Sequence, residues 1–198
     1  YGHSETAGQN KNVIAEGNFV ANLKGIGTGE NLVETFISGT ITVNAPAGVF
    51  MAQVNGDAKL QKIETKGDAV IHAYDGSIIS NTVGTEVIVA ENIDLYSKVG
   101  TIGNGNNVMK VVLSDGGILS ANAHGDVYMT DLQGAVGLDQ VSSANGTVNL
   151  KVEGDVFDGN DTEDINLSAA NIVLATTNGS IGTSSDMLKT KNLNGSID

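Results

Sequence analysis

The chain has 198 residues, a net charge of −13 at pH 7, and neither arginine, cysteine nor tryptophan. This acidic balance argues against binding to nucleic acids or anionic membranes, which requires basic patches, and the absence of cysteine excludes disulfides and cysteine-ligated zinc. No run of 18 apolar residues is present, so insertion into a membrane is not expected. The apolar share of 40% is mostly valine, isoleucine and alanine, which favours strands over helices.

From the N-terminus, residues 1–12 form a polar leader, and short alternating segments begin at residue 13. Each segment opens with glycine and then alternates polar and apolar residues, which is typical of a strand with one buried face. Ile41 and Val43 are therefore expected to face inward together. Clusters of Gly, Asn, Asp and Ser separate the segments and indicate turns. The clearest segments are 39–43, 67–71, 125–129, 146–150 and 154–157.

The chain also repeats itself over a longer distance. Gly27, Gly103 and Gly182 each follow an isoleucine, and they recur at nearly equal separations. The sequences between these glycines also match, since residues 48–60 align with 125–138 and residues 91–103 align with 170–182. The sequence therefore contains about two and a half copies of a unit of about 77 residues.

Seven glycines subdivide this unit at fairly regular intervals, at positions 25, 48, 76, 100, 125, 154 and 179. They predict a three-sided coil of about 25 residues, with three coils per repeat, stacked as a parallel β-helix over 13–198. An antiparallel sandwich would explain the strands and turns but not the repeat. Ile102, Val108, Ile181 and Leu188 are expected to point into the coil.

The segments "NIVLATTNGSIGT", "GDVYM" and "GTVNL" resemble the repeats of large filamentous-haemagglutinin-like bacterial adhesins, with a texture similar to that of leukotoxin-type filamentous adhesins. The resemblance covers residues 13–198 and implies a right-handed parallel β-helix used as a cell-surface stalk. It further implies secretion to the bacterial surface through an outer-membrane transporter, and attachment to a host cell-surface protein or glycan. It also suggests that the chain is a fragment of a longer protein.

Two other expectations concern function. No catalysis is expected, although a carbohydrate-active or carbohydrate-binding β-helical module remains the alternative, because some parallel β-helices act on polysaccharides. Such an enzyme needs carboxylates or a metal in a groove, and this chain has no arginine, no tryptophan and no long loop with which to build one. Unpaired strands at the ends of the rod predict end-to-end self-association.

The glycine loops at 25–29 and 103–105 look at first like phosphate-binding loops. A Walker loop needs Gly-Lys-Ser/Thr opening a helix, and neither the motif nor the helix is indicated. Since the loops recur with the repeat, they are predicted to be corner turns.

Residues 154–164 are the most acidic stretch, and their oxygen ligands are of the kind that calcium prefers. The spacing does not match an EF-hand, and a solvated acidic turn is the competing interpretation. No other cofactor is expected. The candidate calcium ligands are Asp155, Asp158, Asp161 and Asp164, with Asn160 and Glu163 nearby.

Aromatic residues are few, so their placement is informative. Four of them fall at outward positions and are candidates for contact with a sugar or protein: Phe50, Tyr74, Tyr96 and Tyr128. They could equally cover the flank of the rod under a loop. The histidines, His3, His72 and His124, share no spacing and are expected to lie on the surface.

Overall fold

A computed structural model describes residues 12–82, 84–160, 162–183 and 187–193. They form nineteen strands and no helix, so no helix within these ranges could span a membrane. The strands are β1 (Val13–Ala15), β2 (Phe19–Asn22), β3 (Val33–Ile37), β4 (Ile41–Asn44), β5 (Val49–Gln53), β6 (Ala58–Glu64), β7 (Ala69–Ala73), β8 (Ile78–Ser80), β9 (Ile88–Ala90), β10 (Ile93–Ser97), β11 (Met109–Leu113), β12 (Gly117–Ala123), β13 (Val127–Asp131), β14 (Val136–Ser143), β15 (Thr147–Val152), β16 (Val156–Asp158), β17 (Leu167–Ala169), β18 (Asn171–Thr176) and β19 (Thr190–Asn192).

The strands form two sheets in which all the named strands pair in parallel. The first sheet runs β1-β3-β5-β7-β10-β12-β14-β17-β19, with β16 beside β14. The second runs β2-β4-β6-β9-β11-β13-β15-β18, with β8 beside β6. The chain passes back and forth between the sheets and advances by one strand each time. The predicted parallel β-solenoid is confirmed, with about eight turns.

The predicted regular coil of about 25 residues with three sides is not confirmed, because paired residues of successive coils are 18 to 26 residues apart. The coil has two sheets rather than three sides, and the chain returns to the same column of the first sheet after about 22 residues on average. The paired residues of one such column are Val33, Met51, Ile71, Leu95, Ala121, Val141, Leu167 and Thr190. The seven marker glycines do not form one corner column. Gly100 stacks on Gly76, Gly125 lies against Gly100, and Gly179 stacks on Gly154, but the column is interrupted before Gly76 and before Gly154. Gly76, for example, stacks on Gly56 and not on Gly48, which lies against Gly67.

The repeat identified in the sequence therefore covers about three and a half coils, and the prediction of three is corrected. Because the number is half-integral, equivalent strands of successive copies fall on opposite sheets. Strand β5 lies in the first sheet and its repeat-equivalent β13 lies in the second. The same exchange holds for β7 and β15, and for β10 and β18.

Inward-facing residues form one continuous apolar core between the sheets, from Ile26 to Ile172. Ile41 and Val43 are buried as expected, with 0% and 1% of their surface exposed. Ile102 is also buried, but Met109 takes the inward position expected of Val108. An isolated β-bridge between Asn104 and Asn107 closes the loop before β11. This closed loop sets which residues of the following strand face inward.

In the third copy of the repeat, at the C-terminal end, Ile181 is 48% exposed, in contrast to the prediction, whereas Leu188 packs partly buried against the core. Of the predicted leader, residues 1–11 lie outside the described ranges, and the Asn12 side chain accepts a hydrogen bond from the N–H of Glu34.

Candidate functional site

The polar residue after a corner glycine joins one coil to the next. The Asp57 carboxylate accepts a hydrogen bond from the N–H of Ser77 at 2.9 Å. The same contact joins Asp126 to Thr147 at 2.8 Å. Asp155 uses its carboxylate in the same way, accepting from the N–H of Ser180 at 2.7 Å. This predicted calcium ligand therefore already has a structural partner.

The corner glycines are required because adjacent coils approach closely there. A Cβ atom added to Gly76, Gly154 or Gly179 would lie closer than 3 Å to the backbone of Gly56, Gly134 or Gly154, respectively. None of the three has a left-handed backbone conformation. Close approach of the coils thus explains glycine at positions 76, 154 and 179, and hydrogen bonds to the next coil explain the aspartates at positions 57, 126 and 155.

Two glycine loops fold alike in successive repeats. Gly27 and Gly103 have φ values of 65° and 63°, a conformation that favours glycine. Isolated bridges close the loops, between Thr28 and Asn31 in the first and between Asn104 and Asn107 in the second. These loops are coil connections, as predicted.

Phe50 and Tyr128 lie beneath these loops at equivalent positions on opposite sheets. A Cβ added to Gly29 would lie 3.8 Å from Cε1 of Phe50, and one added to Gly105 would lie 3.8 Å from Cε1 of Tyr128. Both aromatic residues are only partly exposed. Their rings thus cover the flank of the rod, and a role for them in binding stays a prediction.

The acidic stretch contributes a largely buried carboxylate to an ion pair with the partly exposed Lys189. Asp158 has only 5% of its side-chain surface exposed, and its Oδ2 lies 3.1 Å from Nζ of Lys189. Its Oδ1 accepts a 2.7 Å hydrogen bond from the side-chain amide of Asn166, which is fully buried. This cluster fastens the loop before β17 to the segment before β19.

Burial by itself would raise the pKa of Asp158, but hydrogen bonds from Asn166, from the N–H of Asn160 and from Lys189 hold that pKa below its usual range. The hydrogen bond to Asp158 in turn raises the pKa of Lys189. Lys189 thus supplies the positive charge that a calcium ion would bring to this carboxylate.

The other predicted calcium ligands do not converge on Asp158. Asp164 accepts a 2.7 Å hydrogen bond from the Thr162 hydroxyl, and Glu163 is 97% exposed. Asp161 lies outside the described residues. Within the described ranges no three acidic or histidine side chains are arranged to hold a metal ion, so calcium binding stays an untested prediction.

His72, Tyr74 and Tyr96 form an aromatic group on the outer surface of the first sheet. The His72 ring makes edge-on contacts with Tyr74 and Tyr96, with centroids 6.1 and 5.5 Å apart. Its Nε2 is buried without a hydrogen-bond partner, 3.8 Å from Oδ2 of Asp94. Tyr96 is 36% exposed. The outward placement of these three side chains agrees with the sequence pattern.

The remaining histidines do not join this group. His124 is exposed, with its ring 3.2 Å from the side-chain nitrogen of Asn145. His3 lies outside the described residues.

Comparison of the chain with family models, with curated proteins and with solved structures finds no match.

Two buried polar residues, Gln53 and Asp131, were not predicted from the sequence. Each ends a strand with an inward-facing polar side chain that is 1% exposed, and the two are separated by one repeat. Burial raises the pKa of Asp131 to about 6, an effect that the nearby Glu153 adds to and that N–H groups of Leu113, Gln133 and Leu132 oppose. The signal in the sequence that could have revealed them is a polar residue at an inward-facing position of the same strand in both copies of the repeat.

Proposed function

We propose that the chain is a rigid segment of a large secreted bacterial surface adhesin, which holds or forms part of a surface that attaches to host cells. In this proposal it acts as a spacer and carries out no reaction. Export through an outer-membrane transporter and a host protein or glycan as receptor belong to the same proposal.

One observation carries the proposal: the recurring polar residues are used to join coils. The carboxylates of Asp57, Asp126 and Asp155 all bind the backbone of the following coil. At Gly76, Gly154 and Gly179 the backbone of the neighbouring coil lies so close that only glycine fits. A chain whose repeated residues serve stacking is suited to providing length and stiffness.

Carbohydrate binding is the second candidate, and the aromatic group of His72, Tyr74 and Tyr96 favours it. Tyr96 offers a partly exposed ring on the outer surface of the first sheet. Aromatic rings combine apolar area with a polar edge, which suits contact with a sugar ring.

The adhesive role can be tested by measuring saturable binding of the fluorescently labelled chain to epithelial cells, before and after glycosidase or protease treatment of the cells. Saturable binding lost after either treatment is the expected result and distinguishes a glycan from a protein receptor. A double Tyr74→Ser and Tyr96→Ser variant tests the aromatic group, with Val99→Ser, at an exposed corner, as the matched control.

Absence of saturable binding would overturn attachment by this segment. Scattering in solution tests the spacer role separately, because about eight coils at a spacing of about 4.8 Å give a body about 40 Å long. Release of products from host polysaccharides incubated with the chain would contradict the absence of a reaction.

A further inference from the structure

Gln53 and Asp131 occupy the same structural position in successive repeats. Each side chain reaches back to the last residue of the strand one coil earlier. The Gln53 Oε1 accepts from the N–H of Ile37 at 3.2 Å, and the Asp131 Oδ1 accepts from the N–H of Leu113 at 3.1 Å. Ile37 and Leu113 end the equivalent strands β3 and β11.

The two side chains differ in what they can donate. The amide nitrogen of Gln53 donates to the carbonyls of Ile37 and Asn55, at 2.9 and 3.0 Å. An ionised aspartate has no hydrogen to donate, whereas a neutral carboxylic acid has one O–H. Asp131 can therefore donate a hydrogen bond, as the amide nitrogen of Gln53 does, only when it is protonated.

Burial favours the neutral form of Asp131, whereas the N–H groups of Leu113 and Gln133, which donate to its Oδ1 and Oδ2 at 3.1 and 3.2 Å, favour the ionised form. Asp131 lies on β13 between β11 and β15, and the charged residues Lys110 and Lys151 take the outward positions of those strands, paired with Thr130. Glu153, just after β15, is a like charge.

Across the core, β12 carries no charged residue. The carboxylate of Asp139, on β14, is engaged by the hydroxyl of Ser120.

We propose that Asp131 is a proton-operated latch at the corner between β13 and β14. When it is neutral, its O–H donates to the carbonyl of Leu113, as the Gln53 amide does to Ile37. When it is ionised, that bond is lost and a buried negative charge remains beside the turn that leads through Gly134. The folded chain is therefore more stable at mildly acidic pH than at neutral pH.

The direction of the effect follows from linkage. A folded-state pKa of about 6, above the ordinary value of 3.8, means that the stabilising contribution is fully present below pH 3.8 and lost as the pH rises through 6. The folding equilibrium constant of the natural chain, relative to that of Asp131→Asn, is expected to fall about 50-fold between pH 4 and pH 7.5.

Urea unfolding of the natural chain, Asp131→Asn and Gln53→Glu across this pH range tests the proposal. Asp131→Asn should remove the dependence, because its amide donates at every pH. Gln53→Glu should add a second dependence of the same sign, since it places a titrating group in the equivalent position. If Asp131→Asn does not fold, Asp131→Gln supplies the residue of the first copy.

Titration of the Asp131 carboxyl carbon by NMR gives an independent readout that needs no variant. A midpoint near pH 6 is expected. A midpoint below pH 4, or an unchanged pH dependence in Asp131→Asn, would overturn the latch.

Discussion

The N–H of Thr147 donates to the Asp126 carboxylate across two successive coils, at 2.8 Å. Replacing Asp126 with alanine leaves this N–H without its acceptor, so we expect the free energy of unfolding to fall by about 1–2 kcal/mol. Asp126→Asn should stay close to the natural value because its amide oxygen still accepts. Asp75→Ala, at an exposed turn, is the control and should change stability by less than about 0.5 kcal/mol. Equal losses in all three, measured by urea unfolding, would contradict the role assigned to the corner aspartate.

The stacked glycines predict a second result. Gly76→Ala places a Cβ against the backbone of Gly56, which cannot move aside as a flexible side chain would. We expect a loss of about 3 kcal/mol in the free energy of unfolding. Gly17→Ala is the matched control, because its Cβ would meet nothing within 4 Å, and it should stabilise the fold by about 0.5 kcal/mol. If the two variants unfold at the same urea concentration, close approach is not what selects glycine at position 76.

The pair of Asp158 and Lys189 predicts a change in titration. In Lys189→Met the buried Asp158 loses the ammonium group, so its pKa should rise, as NMR of its carboxyl carbon would record. The pKa is lowered in the folded chain, so the stability it contributes is present above the unfolded pKa and lost as the pH falls. Lys191→Met, at an exposed position two residues away, should leave the Asp158 titration unchanged.

A calcium titration of the same two variants separates the interpretations of the acidic stretch. If calcium competes with Lys189 for Asp158, Lys189→Met should bind the ion more tightly than the natural chain, as measured by calorimetry. No heat from either protein would argue against calcium at this turn.

Self-association should depend on the first coil. Among the described residues, β1 pairs only with β3 and β2 only with β4, and Ile14 and Val20 on these strands are 65% and 74% exposed. Ile14→Lys with Val20→Lys should therefore reduce any concentration-dependent increase in sedimentation coefficient. Val99→Lys, at an exposed corner within the rod, is the control. Identical sedimentation of both variants and the natural chain would exclude association through this coil.

The sequence was sufficient to predict the parallel stacking and many of the inward residues, because alternation and repetition are local properties of a sequence, but Val108 and Ile181 were wrongly predicted to point inward. Ile41 and Val43 were predicted correctly, since both lie in the core. The number of residues in a coil was not accessible in the same way. The repeat length is the number of residues after which the sequence recurs, whereas the coil length is the number after which the backbone returns to the same column. Here one repeat corresponds to about three and a half coils.

The functions of the polar residues were also only partly predictable. Asp155 and Asp158 look alike in the sequence, yet one binds the backbone of the next coil and the other pairs with Lys189, 31 residues further on. Only the register of the coils shows which partner each carboxylate meets. The pair Gln53 and Asp131 could have been found by comparing the copies position by position.

The half-integral repeat has a consequence for any partner that approaches from one side. Phe50 and Tyr128 belong to different sheets and so face in opposite directions. A partner on one side meets the same residue again only after two repeats, or seven coils, about 34 Å along the axis at about 4.8 Å per coil. A longer array built in this way would present equivalent residues of successive repeats on alternate sides of the rod. A bivalent partner would have to span the full distance between equivalent residues on one side or reach around the rod.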